Sequence, residues 1–368
     1  MYVLFACGGT AGHIYPALAM AALLREYDKD IRIEFIGTPD GMENRLVASE
    51  GYPVRHLRVS GIARNLSISN LRAIRRSIVA FWKCRGAMKK DRPDLVIGTG
   101  GYISFPVILA AASLKIPNAV HESNAVPGLA VKAVASKTDR IWLGQKEAGA
   151  YFSCKNKCVY TGTPLRKGFL LGNKLEIRQN SGIPCNAFFV LSFGGSLGAE
   201  RLTEAVYELW KEATDPRLRF LHIRGRSASA PAAEDERHRT VAYSDRMPYL
   251  MQAADLVICR AGALTLTELA ACGKAAVLVP SPNVTDDHQY KNARALSDCG
   301  AAVMIREDEL TGKRLAECVS AFLKSPDQRR KMERISHDRC KADTNSVLLR
   351  EMLCLAEGRS HAKLSILP

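Results

Sequence analysis

Two glycine-rich loops carry the clearest chemical signal in this sequence. Residues 8–13 read Gly-Gly-Thr-Ala-Gly-His after an apolar segment at 2–7, and residues 194–199 read Gly-Gly-Ser-Leu-Gly-Ala after an apolar segment at 188–192. A helical pattern follows each loop, so each predicts a strand, a tight turn and a helix N-terminus whose N–H groups can bind an anion. A single turn of this kind can need glycine for steric reasons alone. Two of them, about half a chain apart, favour two α/β domains that share a ligand cleft.

Two further segments of the second half hold side chains that suit a nucleotide sugar. Residues 259–268 run from an apolar segment through a small-residue turn into a helical pattern that carries Thr265 and Glu268. Phosphates can approach such a turn, and a carboxylate one turn later can accept hydrogen bonds from both hydroxyls of a ribose. The alternative is that Glu268 only offsets the helix dipole. Gln289, in the polar segment 280–292, can donate and accept, which suits a sugar hydroxyl.

Strand and helix patterns alternate along both halves of the chain. Besides the segments that precede the glycine loops, apolar runs predict strands at residues 32–36, 95–97, 119–120, 218–223, 256–259 and 275–279. The alternation predicts an α/β fold of parallel, doubly wound sheets. The junction at 162–164 and the polar stretch after it predict a first domain at 1–163, a second at 164–340 and a C-terminal segment at 341–368.

The composition is that of an ordinary globular protein. The chain has 368 residues, 47% hydrophobic and 24% charged, which is enough for two domains with their own cores. No apolar stretch approaches the roughly 20 residues of a membrane-spanning helix, and no basic segment precedes the first apolar run as in a signal peptide. We therefore expect a cytoplasmic protein with reduced thiols. Its eleven cysteines are scattered, and Cys154 and Cys158 lack the second pair that a zinc site requires.

The charge balance favours an anionic partner. Lysine and arginine number 52 against 37 acidic residues, a net charge of +15, and residues 64–92 hold nine of these cations with one acid, Asp91. In that segment, apolar residues spaced by three and four predict an amphipathic helix with a face made of Leu71, Ile74, Ile78, Phe81 and Trp82. This face either packs against the protein's own sheet or lies on an anionic lipid surface. Nucleic acid is not favoured, because no recognition motif with base-stacking aromatic residues accompanies the charge.

Taken together, the motifs resemble those of the MurG family, the bacterial N-acetylglucosaminyltransferases that convert lipid I to lipid II in peptidoglycan synthesis. The resemblance runs in order across almost the whole chain, through residues 8–13, 100–102, 121–124, 194–199, 260–268 and 286–292. It implies a GT-B fold, in which two Rossmann-like domains face a central cleft and a last helix returns to the N-terminal domain. It also implies a peripheral protein on the cytoplasmic face of the inner membrane. The implied partners are UDP-N-acetylglucosamine, lipid I and the anionic membrane surface, with no cofactor and no metal.

The resemblance also assigns roles to individual residues. It implies donor contacts at Thr10, Gly12, Asn124, Arg166, Gly195, Ser196, Tyr243, Ser244, Ala263, Leu264, Thr265, Glu268, His288 and Gln289. Within that set, Glu268 would bind the ribose, Ser196 and its loop the diphosphate, and Gln289 the sugar hydroxyls. The residues that match acceptor-binding positions are His13, Tyr102 and Glu122, with Asn124 beside them.

His13 is the candidate general base of an inverting, single-displacement transfer. A neutral imidazole is available near pH 7, and His13 stands at the start of a predicted helix beside the first glycine loop. The alternative is that it only positions the acceptor or its diphosphate. Backbone N–H groups and Arg166 would stabilise the departing diphosphate. The sequence departs from the family pattern at Val131, Thr163 and Leu197, which affects individual contacts and not the reaction.

Other functions fit the residues less well. A dinucleotide-dependent dehydrogenase needs Gly-x-Gly-x-x-Gly and an acid after the second strand, but Cys7 stands at the first glycine position and Gly37 follows that strand. A transferase acting on another glycolipid, or a sugar-nucleotide epimerase of similar fold, remains open on the residues alone. A basic membrane adaptor would explain the amphipathic helix but not the paired glycine loops.

Overall fold

The chain divides into two compact units. The computed structural model describes residues 1–61, 68–165, 169, 173–195, 198–225, 234–284, 287–340 and 343–358. Unit 1 comprises Met1–Arg166 and Asp343–Pro368, and unit 2 comprises Lys167–Ala342. The division thus falls slightly after the predicted junction, and the C-terminal segment groups with the first unit.

The strands are β1 Tyr2–Ala6, β2 Arg32–Gly37, β3 Val54–His56, β4 Leu95–Gly98, β5 Asn118–Glu122, β6 Arg140–Leu143, β7 Cys158–Tyr160, β8 Phe188–Phe193, β9 Leu218–Ile223, β10 His238–Val241, β11 Leu256–Cys259, β12 Ala276–Leu278 and β13 Val303–Met304. The helices are α1 Ala11–Tyr27, α2 Glu43–Ser49, α3 Ile68–Lys90, α4 Ser104–Ser113, α5 Leu129–Val134, α6 Lys174–Asn180, α7 Glu200–Glu212, α8 Met247–Ala253, α9 Ala263–Ala271, α10 His288–Ser297, α11 Gly312–Lys324, α12 Pro326–Asp338 and α13 Thr344–Ala356. Short 3-10 turns lie at Lys146–Tyr151, Lys155–Lys157 and Glu307–Glu309.

Unit 1 is built on a seven-stranded parallel sheet in the order β3-β2-β1-β4-β5-β6-β7. All five residues of β1 are buried, which is why this strand reads as a continuous apolar run and not as an alternating one. Leu4 contributes to a core on the face of α3 and α4, whereas Val3 and Phe5 contribute to a core on the face of α1 and α13. The strand order reverses between β1 and β4, so the carboxyl ends of these two strands form the switch point of the sheet.

The last helix, α13, closes the core of unit 1. Leu348 and Met352 are fully buried in the cluster that also contains Leu24 of α1. The indole N–H of Trp142 in β6 donates a buried hydrogen bond of 3.1 Å to Glu351. These contacts tie the end of the chain to the first unit.

Unit 2 repeats the design with a six-stranded parallel sheet in the order β10-β9-β8-β11-β12-β13. All six residues of β8 are buried, and its register pairs Val190 with Phe220 on one side and with Leu256 on the other. The switch point lies between β8 and β11. The carboxyl ends of β8, β11 and β12 therefore meet at one edge of the sheet.

Candidate functional site

The switch point of unit 1 holds His13 in a defined orientation. His13 lies in the first turn of α1, and its Nδ1 is 3.1 Å from the carbonyl oxygen of Gly8 and 3.2 Å from the hydroxyl oxygen of Thr10. Because a carbonyl oxygen only accepts, Nδ1 carries the proton and Nε2 is the basic nitrogen. The hydroxyl of Thr99, after β4, donates to the backbone oxygen of His13 at 2.7 Å. The carbonyl of Gly8 thus favours the tautomer with the proton on Nδ1, and Thr99 holds the backbone of the same residue.

Two glycines let the turn after β4 approach this ring. Gly100 has φ +113° and Gly101 has φ +76°, a region that favours glycine. A Cβ on Gly100 would lie 2.4 Å from Cδ2 of His13, and one on Gly101 would lie 2.5 Å from the carbonyl oxygen of Gly8. The Gly-Gly-Tyr motif is therefore a packing requirement of His13, which the sequence alone does not reveal.

Tyr102 and the first glycine loop lie side by side. A Cβ on Gly9 would be 3.9 Å from the ring of Tyr102, whose side chain is 38% exposed. Thr10 is exposed and Gly12 partly buried. The structure therefore brings Thr10, Gly12, His13 and Tyr102 together at one accessible edge of unit 1.

Glu122 and Asn124 form a loop brace at the end of β5. The buried Glu122 carboxylate accepts hydrogen bonds of 2.9 Å from the backbone N–H and side-chain amide of Asn124 and from the backbone N–H of Gly128. Burial raises the pKa of Glu122 above its ordinary value, and these hydrogen bonds offset part of the rise. In the structure Glu122 orders the loop 122–128, and a contact with an acceptor stays a prediction.

A second glycine loop stands at the switch point of unit 2. Gly195 and Gly198 have φ +97° and +93°, and the N–H of Gly198 donates to the oxygen of Gly195 at 3.0 Å. The residue before α7 is Ala199, which supplies no side-chain cap. A helix N-terminus without a side-chain cap from the preceding residue is a favourable place for an anion. Ser196, Leu197 and Arg166 lie outside the described residues, so their predicted roles stay predictions.

A buried histidine that the sequence analysis did not single out connects the strand before this loop to the helix after it. His222 of β9 pairs through Nδ1 with the Ser192 hydroxyl at 2.9 Å and through Nε2 with the Thr203 hydroxyl at 3.1 Å. Burial lowers the pKa of His222 to about 4, so the ring is neutral at physiological pH. In the sequence, the only signal for this pairing was that a few polar residues occur within the otherwise apolar segments 188–193 and 218–223.

The start of α9 supplies the second uncapped helix end of unit 2. Gly262 stands at the N-cap in an extended conformation without a side-chain cap, and Ala263, Leu264 and Thr265 form the first turn. Glu268, one turn further, is only 4% exposed. Arg260, just after β11, donates to the backbone oxygen of Val279 at 3.1 Å, which ties this turn to β12. The structure thus has a small-residue turn followed by a nearby carboxylate, and the phosphate and ribose contacts both stay predictions.

The remaining predicted donor residues follow β12 and β10. The amide oxygen of Gln289 accepts from the N–H of Ser281 at 3.0 Å, so the amide nitrogen is the group left to donate. His288 beside it is partly buried. Tyr243 is exposed, and the hydroxyl of Ser244 accepts from the N–H of Arg246 at 3.2 Å. Because the strands are parallel, these residues share the sheet edge that carries Gly195 and α9.

Comparisons with known proteins agree with this two-unit geometry. The glycosyltransferase family 28 N-terminal domain matches residues 3–143, and the family 28 C-terminal domain matches residues 189–346. A protein of Alkaliphilus oremlandii named UDP-N-acetylglucosamine--N-acetylmuramyl-(pentapeptide) pyrophosphoryl-undecaprenol N-acetylglucosamine transferase is 35% identical over 98% of this chain and 100% of its own. A protein of Acetivibrio thermocellus with the same name is 40% identical over 88% of this chain and 90% of its own.

A solved structure gives the same answer. The crystal structure of MurG from Acinetobacter baumannii has a TM-score of 0.76 and 28% identity, and it covers 96% of this chain and 99% of that one. The chain belongs to the MurG family of family 28 glycosyltransferases. The resemblance drawn from the motifs is thereby confirmed, and so is the predicted GT-B type α/β fold of two doubly wound domains.

For this MurG family member, the predicted site residues separate by unit. His13, Tyr102, Glu122, Thr10, Gly12 and Asn124 lie in unit 1, and the other described donor residues lie in unit 2. In the described part of the chain, no group of three His, Cys, Asp or Glu side chains could hold a metal ion. Nor does any described helix have the length and apolar character needed to span a bilayer.

Proposed function

We propose that this protein transfers N-acetylglucosamine from UDP-N-acetylglucosamine to the C4 hydroxyl of the N-acetylmuramic acid of lipid I, giving lipid II and UDP. The observation that supports the proposal is the amino-acid sequence identity between this chain, over nearly its full length, and transferases of that name. In a single displacement, the C4 oxygen bonds to C1 of the donor sugar while the bond from C1 to the diphosphate oxygen breaks. The electron pair leaves with UDP, the hydroxyl proton goes to a base, and the configuration at C1 inverts.

His13 is the base in this proposal. Its Nδ1–H is held by the carbonyl of Gly8, so Nε2 carries the lone pair that accepts the proton of the C4 hydroxyl. From the β4 side, Thr99 holds the backbone oxygen of His13 and Gly100 packs against its ring. A side chain held in this way needs little reorganisation in the transition state, which favours the chemical step.

Unit 2 would bind the donor through its helix ends. The uncapped N-termini of α7 and α9 offer N–H groups to the diphosphate, whose negative charge grows as the bond to C1 breaks. Glu268 would accept from the ribose hydroxyls, and the amide nitrogen of Gln289 would donate to a hydroxyl of the sugar. Tyr243 and Ser244 would belong to the segment that, by resemblance to the family, contacts the uracil.

The exposed face of α3 would bind the anionic membrane surface, which places the protein peripherally on the cytoplasmic face. Leu71, Ile78 and Trp82 are 69%, 55% and 60% exposed, and the guanidinium of Arg85 lies 5.7 Å from the centre of the Trp82 ring. Phe81, predicted on the same face, is partly buried against the core of unit 1. Part of the predicted face thus packs against the core, and the exposed part is the proposed membrane contact.

A vesicle assay with a matched aromatic control tests the membrane contact. Trp82→Ser together with Ile78→Ser should weaken binding to phosphatidylglycerol vesicles, because the substitutions remove apolar area that would otherwise be buried in the interface. Tyr27→Ser removes an aromatic ring that is 59% exposed elsewhere in unit 1 and should leave vesicle binding intact. Undiminished vesicle binding by the double variant would rule out this face.

The transfer itself is tested by UDP release. Wild-type protein is incubated with UDP-N-acetylglucosamine, with and without a short-chain lipid I analogue, in the presence of EDTA. Acceptor-dependent release of UDP together with a disaccharide product is the expected result. Release from the donor alone would point to an epimerase or hydrolase, and release that depends on a different glycolipid would point to another acceptor.

A further inference from the structure

A buried carboxyl group packs directly against the end of β1 and the loop after β2. Glu43 is the first residue of α2 and is only 1% exposed. A Cβ on Gly8 would lie 2.8 Å from its Oε1, and a Cβ on Gly37 or on Gly41 would overlap the same side chain. None of the three glycines has φ in the left-handed region, so the space that Glu43 occupies, and not the backbone conformation, requires glycine at these positions.

Glu43 is bonded to the loop after β2 through one oxygen. Its Oε1 accepts from the backbone N–H of Thr38 at 2.6 Å and from the Thr38 hydroxyl at 2.7 Å. In the part of the chain that the structure describes, Oε2 has no hydrogen-bond partner. Burying a carboxyl group with one oxygen unpaired costs free energy, which an apolar side chain would avoid. A polar group kept at such a cost points to a role besides stability.

Gly8 connects this side chain to the imidazole of His13. Gly8 packs against Glu43, and its carbonyl oxygen lies 3.1 Å from Nδ1 of His13. The sheet holds the residues next to this contact, because the N–H of Cys7 donates to the oxygen of Ile36 at 3.3 Å. A shift of Gly8 would therefore move the carbonyl that orients the imidazole.

We infer that Glu43 is a positioning residue for His13, an inference that rests on the proposed function. Its side chain fills the space between Gly8 and the loop after β2, and so keeps the carbonyl of Gly8 where it accepts from Nδ1–H. The position of this bond decides which ring nitrogen carries the lone pair, and a reacting group is held accurately only when its supporting residues are themselves held. The competing explanation is that Glu43 only stabilises the loop after β2, because its hydrogen bonds come from Thr38.

Substitutions of Glu43 separate the two explanations. Glu43→Ala opens a space beside Gly8, whereas Glu43→Gln keeps the length of the side chain and an oxygen that can accept from Thr38. Glu43→Asp, shorter by one methylene, is the second variant in case Glu43→Ala does not fold. Glu351→Ala is the matched control, because Glu351 of unit 1 is also buried, at 3% exposed, and accepts from the indole of Trp142. Circular dichroism verifies the folding of each variant.

The first readout is the rate of transfer to the lipid I analogue. Glu43→Ala should lower kcat by about 10–10², because a small displacement of a catalytic group slows the reaction, with a donor KM within about twofold of wild type. Glu43→Gln should recover most of the kcat, because the amide oxygen also accepts from Thr38. Glu351→Ala should lower the stability of unit 1 and leave kcat near that of wild type.

The second readout is the tautomer of the ring and does not depend on activity. Nuclear magnetic resonance of protein labelled with ¹⁵N-histidine is recorded at about pH 8, above the ordinary pKa of histidine. The signal of His13 is the one absent from His13→Ala. His13 should carry its proton on Nδ1 in wild type and in Glu43→Gln, and should show a mixture of the two tautomers in Glu43→Ala.

The inference is overturned if Glu43→Ala, or Glu43→Asp in its place, keeps the wild-type tautomer of His13. It is also overturned if Glu43→Gln loses as much kcat as Glu43→Ala, or if Glu351→Ala lowers kcat equally. An unchanged kcat in His13→Ala would instead contradict the base of the proposed function, while the tautomer of His13 would still show whether Glu43 positions the ring.

Discussion

The two switch points are built on the same plan and differ in what stands at the first helical turn. Both sheets reverse their strand order beside the strand that carries a glycine loop, at β1 and β4 in unit 1 and at β8 and β11 in unit 2. Unit 1 places a histidine there, held by Gly8 and Thr99. Unit 2 places two uncapped helix ends and the buried Glu268 there. In the proposed function, the same scaffold would thus serve a proton acceptor in one unit and an anion site in the other.

The buried histidines of the two units differ from the candidate base in their surroundings. His121 at the end of β5 and His222 at the end of β9 are fully buried, one in each unit. Burial lowers the pKa of both rings to about 4, so both are neutral and make structural hydrogen bonds. His13 is only partly buried and lies at the accessible edge. Burial and not residue type separates a structural histidine from the candidate base.

The largest effect is expected from removing the imidazole at the switch point of unit 1. His13→Ala should lower kcat by about 10²–10⁴, the usual contribution of a general base, with little change in donor KM. His56→Ala is the matched control, because His56 is exposed and bonds only to Asn44 among the contacts of its ring that the structure gives. An unchanged kcat with a raised acceptor KM would reduce His13 to a positioning residue.

Displacing the same ring without removing it should cost less. Gly100→Ala puts a Cβ 2.4 Å from Cδ2 of His13 at φ +113°, and a small displacement of a catalytic group lowers kcat by about 10². Gly51→Ala is the control for backbone strain, because Gly51 has φ +76° but no other atom within 4 Å of the added Cβ. If the two variants lost equal activity, contact with His13 would not be the cause.

A weaker and more selective effect is expected in unit 2. Gln289→Ala should raise the KM for UDP-N-acetylglucosamine up to about tenfold, the value of one hydrogen bond of about 0.5–1.5 kcal/mol. Inhibition by UDP, which lacks the N-acetylglucosamine group, should not change. Gln179→Ala on the exposed surface of α6 is the control. Equal losses of UDP and UDP-N-acetylglucosamine affinity would remove Gln289 from the sugar site.

The smallest effect is expected on the free energy of unfolding and not on kcat. Because the folded pKa of His121 and His222 is about 4 against an ordinary 6.5, the unfolded chain binds more protons between these values. Stability is therefore full above about pH 6.5 and falls towards pH 4, by about 1 kcal/mol per pH unit for each ring. Urea unfolding of wild type and His222→Gln at about pH 7 and pH 5.5 measures the slope. An identical slope would show that His222 does not titrate on unfolding.

The sequence was a good guide to central strands and a poor one to edges. The apolar runs correctly predicted β1, β2, β4, β5, β8, β9, β11 and β12, because strands buried on both faces carry mostly apolar side chains. It missed β3, β7, β10 and β13 at the sheet edges, where residues such as Arg55 and Arg239 face solvent, and it also missed the short interior strand β6. On α3 it grouped Phe81 with Trp82, although 100° per residue turns Phe81 towards the core.

The site was predictable in its loops and not in its supporting contacts. The glycine loops and Glu268 were recognisable because their local pattern determines their conformation. The contact of Gly100 with His13 and the pairing of His222 with Ser192 and Thr203 join segments far apart in the chain. Such contacts depend on strand order and register, which local patterns do not specify.

The most direct test of the division between the two units is the affinity for UDP, measured by calorimetry on wild type, His13→Ala and Glu268→Ala. Glu268→Ala should weaken UDP binding by about 1–3 kcal/mol, because it leaves the ribose hydroxyls without their acceptor, with Glu268→Gln recovering part of the loss. His13→Ala should bind UDP within about twofold of wild type. If His13→Ala lost as much UDP affinity as Glu268→Ala, the donor and the base would not be assigned to different units, and the account would be wrong.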